Sequence, residues 1–206
     1  AEGHAVRAMY LYSAMADLAA ETGDSSLLKA CRRLWDSATG RRMYLTGGVG
    51  SSARGERFSF DHDLPNEEAY AETCAAIGLV FWARRMLNVD LHRRYADAME
   101  RALYNGVLSG IALDGRRFFY TNPLAVHPER HYFEKHMSAA GHKAASRQPW
   151  FSTSCCPPNI ARLLASFGSY LYSVSDREAY VHLYVQSRAE INIAGDTVAL
   201  VQKTNY

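Results

Sequence analysis

Residues 65–87 read PNEEAYAETCAAIGLVFWARRML, and this segment predicts a helix. A proline and an asparagine followed by two glutamates are typical of a first helical turn, where the helix dipole favours acidic side chains. The pattern continues to about Leu87. Its apolar centre, residues 75–83, is much shorter than a membrane span and ends in two arginines, so we expect a helix of a globular domain and no membrane partner.

Helical spacing of apolar residues extends to both sides of this segment. Asp24 or Ser25 can cap a helix after Gly23, so the first two helices are expected to form a tight antiparallel hairpin. The other predicted helices are Ala5–Thr22, residues 24–39, residues 91–108 and residues 158–171. Between the helices, residues 118–122 read as a short extended stretch, and residues 46–66 as a glycine-rich loop too long for a simple connector.

The hydrophobic period changes from helical to alternating after residue 175. Residues 180–187 alternate, and residues 190–194 and 197–202 read as two strands joined at Gly195 and Asp196. The sequence therefore predicts a mainly α chain, with a helical domain over residues 1–175 and the beginning of an antiparallel β domain over residues 176–206. Since the first residues already follow a helical pattern and Tyr206 falls inside a strand-like region, we expect a piece of a longer protein.

The composition is that of a folded domain with a nearly balanced charge. Hydrophobic residues make up 48% of the 206 residues, enough for a sizeable core, and the net charge is only +2. Basic residues are spread through the helices and form no stripe, so a nucleic-acid partner is not expected. The chain is too long and too apolar to need a disulfide framework. Its four cysteines therefore indicate free thiols or metal ligation in a reducing compartment, which predicts a cytoplasmic protein.

Two short clusters, Glu72-Thr73-Cys74 and Cys155-Cys156, together offer one carboxylate and three thiols. This ligand set suits a soft divalent ion, above all zinc. Residues two apart point roughly 200° apart on a regular helix, so Glu72 and Cys74 can share an ion only near a helix start or at a distortion. Two prolines after Cys156 put the second pair just ahead of a helix start too, where exposed N–H groups favour thiolates.

Two simpler interpretations of the cysteines stay open. Buried thiols often act only as small hydrophobes, which fits Cys31 on an apolar helix face better than the adjacent pair, whose neighbours are serine, threonine and proline. Alternatively, Cys155 and Cys156 form a vicinal disulfide that acts as a redox element.

Glu56 lies in the glycine-rich loop, after Gly55 and shortly before two phenylalanines. A loop glutamate is usually solvated, but burial in this setting would raise the pKa of its carboxyl and make it a general acid/base candidate. Asp61, His62 and Asp63 follow closely, and they either cap the next helix or support the loop.

Several motifs, in this order, strongly resemble glycoside hydrolase family 127, the bacterial β-L-arabinofuranosidases. They run through essentially the whole chain: GHAVR at residues 3–7, YLTGGVG at 44–50, GE at 55–56, FSFD at 58–61, DLPN at 63–66, YAETCAA at 70–76, FYTNPL at 119–124 and CCPPN at 155–159. The resemblance implies that the chain is the later part of an (α/α)6 barrel of helical hairpins, followed by the first strands of an antiparallel β-sandwich.

The same resemblance implies a retaining glycosidase that releases β-linked L-arabinofuranose from oligosaccharides or glycoconjugates. Cys155 is then the nucleophile and Glu56 the acid/base, whereas His4 and Tyr120 contact the carbohydrate substrate. The implied zinc ligands are Glu72, Cys74, Cys155 and Cys156.

Other interpretations remain open from the sequence. The same four ligands could hold a structural zinc in a sugar-binding or scaffold protein, since structural sites are commonly four-coordinate with no open position. The position of Glu56 relative to Cys155 would discriminate the two. A third interpretation is a helical-barrel sugar isomerase or epimerase that uses loop histidines: His127, His131, His136 and His142. A homodimer is also open, because the sequence does not settle the oligomeric state.

Overall fold

The computed structural model describes residues 1–125 and 146–205, which form two compact units, Ala1–Ala161 and Arg162–Tyr206. The first unit is built mostly of helices, and the second contains short antiparallel strands. Within the described residues, no helix combines the length and apolar character needed to cross a membrane. The mainly helical character that the sequence predicts is thus confirmed.

The first two helices form the predicted pair. Helix α1 spans Ala5–Thr22 and helix α2 spans Ser25–Arg41. Gly23 ends α1 in the left-handed conformation (φ 69°), which glycine adopts without steric cost. Asp24 then caps α2, because its carboxylate accepts hydrogen bonds from the first backbone N–H groups of that helix.

Helix α3, Thr73–Val89, is the centre of the first unit and is buried along most of its length. The Trp82 ring lies 4.9 Å from Tyr12 of α1 and 4.8 Å from Trp35 of α2, between ring centroids. Large aromatic side chains bury the most apolar surface per residue, so this cluster holds the three helices together. Glu72 is the residue just before the first turn of α3, and its side chain makes no capping hydrogen bond.

The predicted start of this helix at residue 65 is wrong, since α3 begins eight positions later at Thr73. The N–H groups of residues 70 and 71 donate to carbonyls of the glycine-rich loop at 3.1 and 2.9 Å, so they are not available to a helix. Ala71 also has a positive φ of 40°, which is strained for a residue with a Cβ. Pairing with the loop therefore overrides the helix signal of the two glutamates.

The predicted helix over residues 91–108 is divided into three parts. Helix α4 spans Arg93–Arg101, a π-helical segment spans Ala102–Val107, and a 3-10 turn spans Leu108–Gly110. The winding changes where the loop backbone packs directly on the helix: a Cβ added at Gly47 would lie 2.6 Å from the Ala102 Cα. Only glycine allows so close an approach, and the positive φ of Gly47 (84°) adds to that requirement.

The extended stretch at residues 118–122 is confirmed, and it forms isolated bridges instead of a regular strand. Thr121 pairs with Glu72, and Phe118 pairs with Ile111 and Gln148. These bridges bring the stretch alongside the start of α3. Helix α5 spans Cys156–Ala165, two residues ahead of its predicted start, and a 3-10 turn follows at Phe167–Tyr170.

The second unit contains two two-stranded antiparallel sheets within its described residues. Strands β1 (Tyr172–Val174) and β2 (Ala179–Val181) form one, and β3 (Ser187–Ile193) and β4 (Asp196–Gln202) form the other. The predicted β3–β4 hairpin is confirmed, and Ala194 and Gly195 turn it with positive φ angles of 54° and 94°. The predicted strand over residues 180–187 is reduced to β2. The division into a barrel portion and a sandwich stays a prediction.

Candidate metal centre and active site

The carboxylate and the three thiols singled out in the sequence converge on one point. One ligand atom from each of Glu72, Cys74, Cys155 and Cys156 lies within 4.8 Å of every other. The Cys156 sulfur is 3.5 Å from that of Cys74 and 3.8 Å from that of Cys155. The Oε1 atom of Glu72 is 3.4 Å from the Cys155 sulfur and 3.7 Å from the Cys156 sulfur.

Two helix starts create this convergence. Glu72 stands just before α3 in an extended conformation (φ −61°, ψ 135°), and Cys74 follows in the first turn. Cys155 stands just before α5, and Cys156 is the first residue of that helix. The change from extended to helical backbone lets closely spaced side chains turn to the same side, which a regular helix forbids.

Backbone pairing fixes the start of α3. The Thr73 N–H donates to the Tyr120 carbonyl at 2.9 Å, and the Thr73 hydroxyl donates to the Phe119 carbonyl, also at 2.9 Å. The Asn122 side-chain amide donates to the Ala71 carbonyl at 2.9 Å and to the Thr73 hydroxyl at 3.0 Å. These bonds hold the Glu72 backbone in place, and sequence reasoning gave neither Thr73 nor Asn122 such a role.

Burial sets the protonation of the Glu72 carboxyl. The residue is only 3% exposed, and none of the described groups hydrogen-bonds its Oε2 atom. Burial, followed by the negative charges of Cys155 and Glu56, raises the pKa of Glu72 to about 9. In the absence of a cation the carboxyl is therefore protonated at neutral pH.

The negative charge of the cluster is on Cys155. Hydrogen bonds from the Cys156 and Cys74 thiols, together with one from the Tyr120 hydroxyl at 3.0 Å, lower the pKa of Cys155 to about 2. The pKa of Cys74 is raised, first by its hydrogen bond to Cys155, and that of Cys156 is raised first by burial. Cys155 is also the least buried of these three cysteines, so its sulfur is the most accessible of the three to a molecule from solvent.

These residues fit a zinc ion. Thiolates and a carboxylate are ligands that zinc accepts, and a dication would replace the protons that the buried groups now hold. The unpartnered Oε2 atom of Glu72 adds a buried acceptor that requires a cationic or hydrogen-bonding partner. The four ligands are therefore a candidate metal centre.

Glu56 lies beside this centre and is paired with His4. The His4 Nε2 atom is 2.8 Å from a Glu56 carboxylate oxygen, a hydrogen-bond distance. The Ala5 N–H donates to the Glu56 carbonyl at 2.8 Å, which ties the loop to the start of α1. Ligand atoms of His4, Glu56 and Glu72 also lie within 4.8 Å of one another. The predicted acid/base residue is thus close to the metal ligands and does not point away into solvent.

Glu56 has a strained backbone, with a positive φ of 50°. For a residue with a side chain this conformation costs about 1–3 kcal/mol, and such strain is concentrated at functional sites. The Tyr70 hydroxyl hydrogen-bonds the Glu56 carboxyl, and burial is the main reason why the pKa of Tyr70 is raised. Tyr70 begins the YAETCAA motif, but its contact with Glu56 had no signal in the sequence.

Aromatic rings form one side of the site. The Tyr120 ring lies 5.4 Å from Phe151 and 6.4 Å from Tyr70, between centroids, and both contacts are edge-on. The same buried cluster includes Cys74 and Cys156. An aromatic side suits the apolar face of a sugar ring. Phe151 was missed from the sequence because it lies in a stretch that looked irregular.

Other sequence candidates lie elsewhere. Asp61 forms ion pairs with Arg41 and Arg42, each at 2.7 Å, so it supports the loop. The vicinal disulfide is contradicted because all four cysteines are free thiols, and Cys31 is fully buried, as its apolar helix face indicated. The candidate isomerase histidines lie outside the described residues: His127, His131, His136 and His142.

Comparison with known proteins adds the family. A sequence model described as "Beta-L-arabinofuranosidase, GH127 catalytic domain" matches residues 1–169. The non-reducing end beta-L-arabinofuranosidase of Bifidobacterium longum subsp. longum is 38% identical over 214 residues, a match that covers 100% of this chain and 30% of that protein.

Solved structures of related enzymes match the whole length of this chain. The crystal structure of Ara127N-Se, a GH127 beta-L-arabinofuranosidase from Geobacillus stearothermophilus T6, matches with 56% identity and a TM-score of 0.93, covering 100% of this chain and 32% of that one. The GH127 beta-arabinofuranosidase BT3674 matches with 43% identity and a TM-score of 0.87, covering 100% of this chain and 30% of that one. The chain thus spans about a third of the length of these relatives. It belongs to the GH127 β-L-arabinofuranosidase family, as part of the catalytic domain.

Proposed function

We propose that the full-length protein containing this chain is a retaining glycosidase that releases β-linked L-arabinofuranose from oligosaccharides or glycoconjugates. The observation that carries the proposal is a shared contact: the Cys155 sulfur and the Glu56 carboxyl both lie close to the Glu72 carboxyl. A retaining glycosidase needs a nucleophile and a proton donor near one another, and these two side chains supply them.

Glu72, Cys74, Cys155 and Cys156 would hold a zinc ion in this proposal. When bound, zinc would keep the coordinating sulfurs in the thiolate form at neutral pH. The buried and unpartnered Oε2 atom of Glu72 supports this assignment, as does the closeness of three sulfur atoms to the Glu72 carboxyl. A buried carboxylate among thiolates would repel them unless a cation were present.

The first half of the reaction would join the sugar to Cys155. The Cys155 sulfur attacks the anomeric carbon and forms a carbon–sulfur bond, while the bond from that carbon to the leaving oxygen breaks. Glu56, in its acid form, donates its proton to the leaving oxygen. His4 at 2.8 Å holds the Glu56 carboxyl in position for that transfer.

The second half would release the sugar. Glu56, now a carboxylate, accepts a proton from a water molecule, whose oxygen attacks the anomeric carbon. The carbon–sulfur bond breaks, and Cys155 regains its thiolate. Two displacements at the same carbon retain the anomeric configuration. The Tyr120 hydroxyl, 3.0 Å from the Cys155 sulfur, stabilises the departing thiolate by a hydrogen bond.

His4 and Tyr120 remain the proposed substrate contacts. Each already touches a proposed catalytic atom, His4 at Glu56 and Tyr120 at Cys155. A sugar placed between Cys155 and Glu56 would therefore lie within reach of both side chains. The aromatic side formed by Tyr120 and Phe151 supports the same position for the sugar.

The finer features of the fold belong to this proposal. We infer that residues 1–175 are the later part of an (α/α)6 barrel and that residues 176–206 begin an antiparallel β-sandwich. Helices α1 and α2 support the first inference, since they form the kind of hairpin from which such a barrel is built. The free thiols of the metal centre support the proposed reducing compartment, the cytoplasm.

A structural zinc site in a sugar-binding or scaffold protein is the second candidate function. The observation in its favour is that four protein ligands can close a tetrahedral zinc site without an open position. The position of Glu56 argues against it, because a purely structural site needs neither a paired carboxyl beside the ligands nor a strained backbone at that carboxyl.

Hydrolysis of an aryl β-L-arabinofuranoside by the full-length protein tests the proposal. We expect Cys155→Ala to abolish turnover and Glu56→Gln to lower it by about 10²- to 10⁴-fold. Glu21→Gln, on the exposed surface of α1, and Cys31→Ala, outside the cluster, are the matched controls and should keep the activity. A zinc-loaded wild type that hydrolyses no arabinofuranoside would instead favour the structural site.

A further inference from the structure

Asn159 ends the Cys-Cys-Pro-Pro-Asn motif and has no part in the reaction described above. It lies in the first turn of α5, where its backbone N–H donates to the Cys155 carbonyl at 3.2 Å. This is the hydrogen bond that begins the helix. The backbone of Asn159 therefore helps to fix the residue that carries the proposed nucleophile.

The Asn159 side chain connects two other helices. Its Oδ1 atom accepts a hydrogen bond from the Tyr10 hydroxyl of α1 at 3.2 Å. Its amide also hydrogen-bonds the Cys74 sulfur of α3. Because the oxygen is directed to the Tyr10 hydroxyl, the NH₂ group is the donor to the sulfur.

The need for this donor follows from the two prolines. A helix start normally offers several free backbone N–H groups, which stabilise nearby anions. Pro157 and Pro158 have no N–H, and the Asn159 N–H is already bonded to the Cys155 carbonyl. The start of α5 thus lacks most of the donors that would otherwise face the sulfurs, which corrects the expectation from the sequence that exposed N–H groups there favour thiolates.

We infer that Asn159 is a positioning residue of the metal centre: its side-chain amide donates to the Cys74 sulfur, replaces the missing backbone donors, and is oriented by Tyr10. This inference rests on the proposed function, because it requires a metal on the Cys74 sulfur. Groups that hydrogen-bond metal ligands orient them and tune their strength as donors. Asn159 would do so while linking α1, α3 and α5 at one point.

Metal binding to the full-length protein tests the role, with Zn²⁺ for affinity and Co²⁺ as a spectroscopic probe. Asn159→Leu keeps the number and branching of the side-chain heavy atoms and has no hydrogen-bonding group. We expect it to weaken zinc binding about 10- to 100-fold at pH 7. We also expect the sulfur-to-cobalt charge-transfer band to move to longer wavelength, since a thiolate without its hydrogen bond gives up an electron more easily.

The band position separates this role from a purely structural one, because a folding defect lowers the amount of metal bound but does not shift the band. Asn88→Leu, at an exposed position near the end of α3, is the matched control and should change neither quantity. Tyr10→Phe removes the hydroxyl group that orients Asn159, so it should shift the band in the same direction but by a smaller amount. This variant replaces Asn159→Leu in the test if Asn159→Leu does not fold.

An unshifted band in both variants would overturn the role of Asn159 while leaving the proposed metal centre intact. A wild-type protein that binds neither Zn²⁺ nor Co²⁺ would overturn the metal centre and this inference together.

Discussion

Zinc binding to the metal-free protein should release about three protons per ion at pH 7. With a pKa of about 9, the Glu72 carboxyl is about 99% protonated at that pH. The raised pKa values of Cys74 and Cys156 keep both thiols protonated too, whereas Cys155, with a pKa of about 2, has already lost its proton. A metal needs all four groups deprotonated, so three protons must leave.

The same pKa values determine how the zinc affinity depends on pH. Each proton that zinc displaces weakens binding about tenfold for every unit by which the pH falls, so three protons give about a 1,000-fold change per unit. This slope should hold between pH 6 and 8, because that range lies above the pKa of Cys155 and below those of the other three groups. Weaker zinc binding at lower pH is the sign that the raised pKa values require.

Calorimetric titration of zinc into the metal-free, full-length protein measures the proton number. At a single pH, the observed heat varies with the ionisation enthalpy of the buffer, and the slope of that dependence is the number of protons released. Glu72→Gln is the matched variant, because it removes one of the protonated groups and should release about two protons. Release of fewer than one proton by the wild type would refute the assignment of protons to Glu72, Cys74 and Cys156.

Three further outcomes are expected. Tyr120→Phe removes a hydrogen bond to the Cys155 thiolate, so the pKa of Cys155 in the metal-free protein should rise by about one to two units. A pH titration followed by the ultraviolet absorbance of the thiolate measures this pKa, and an unchanged titration midpoint would contradict the contact. Gly47→Ala should lower the free energy of unfolding in urea by about 1–3 kcal/mol, because the added Cβ would lie 2.6 Å from the Ala102 backbone. Gly40→Ala in α2 is the control: its Cβ meets open space, so the free energy of unfolding should rise slightly. Equal effects of the two substitutions would refute the close approach at Gly47. Trp82→Ala should cost about 3–5 kcal/mol by the same measurement, since the indole is fully buried between α1 and α2, and a loss below about 1 kcal/mol would contradict its central place.

The helical hairpin at the start of the chain could be predicted from local signals alone. Gly23 and Asp24 act within a few residues of their own positions, one by its backbone freedom and the other by its carboxylate. The β3–β4 hairpin follows in the same way from alternation and a glycine turn. Such features need no knowledge of distant contacts.

The start of α3 depends on contacts that the local sequence does not contain. Residues 70 and 71 pair with a loop about 20 positions earlier, and Thr73 pairs with Tyr120 almost 50 positions later. These long-range bonds decide where the helix can begin. They also place Glu72 at the helix start, one of the two locations that the spacing of Glu72 and Cys74 allowed for a shared ion.

The ligand set itself was available from the sequence, through residue types and family resemblance, whereas its charge state was not. The pKa of Glu72 depends first on burial and then on the charge of the distant Cys155 sulfur. The contacts of His4 with Glu56 and of Tyr120 with Cys155 likewise join segments far apart in the chain. Only the folded structure brings those groups within hydrogen-bond distance.

X-ray absorption at the zinc edge of the purified full-length protein tests the central claim most directly. Coordination by Glu72, Cys74, Cys155 and Cys156 predicts one zinc per chain, with three sulfur neighbours at about 2.3 Å and one oxygen at about 2.0 Å. Cys155→Ala should leave two sulfur neighbours. A zinc bound by nitrogen and oxygen alone, or an active enzyme free of metal, would contradict the account.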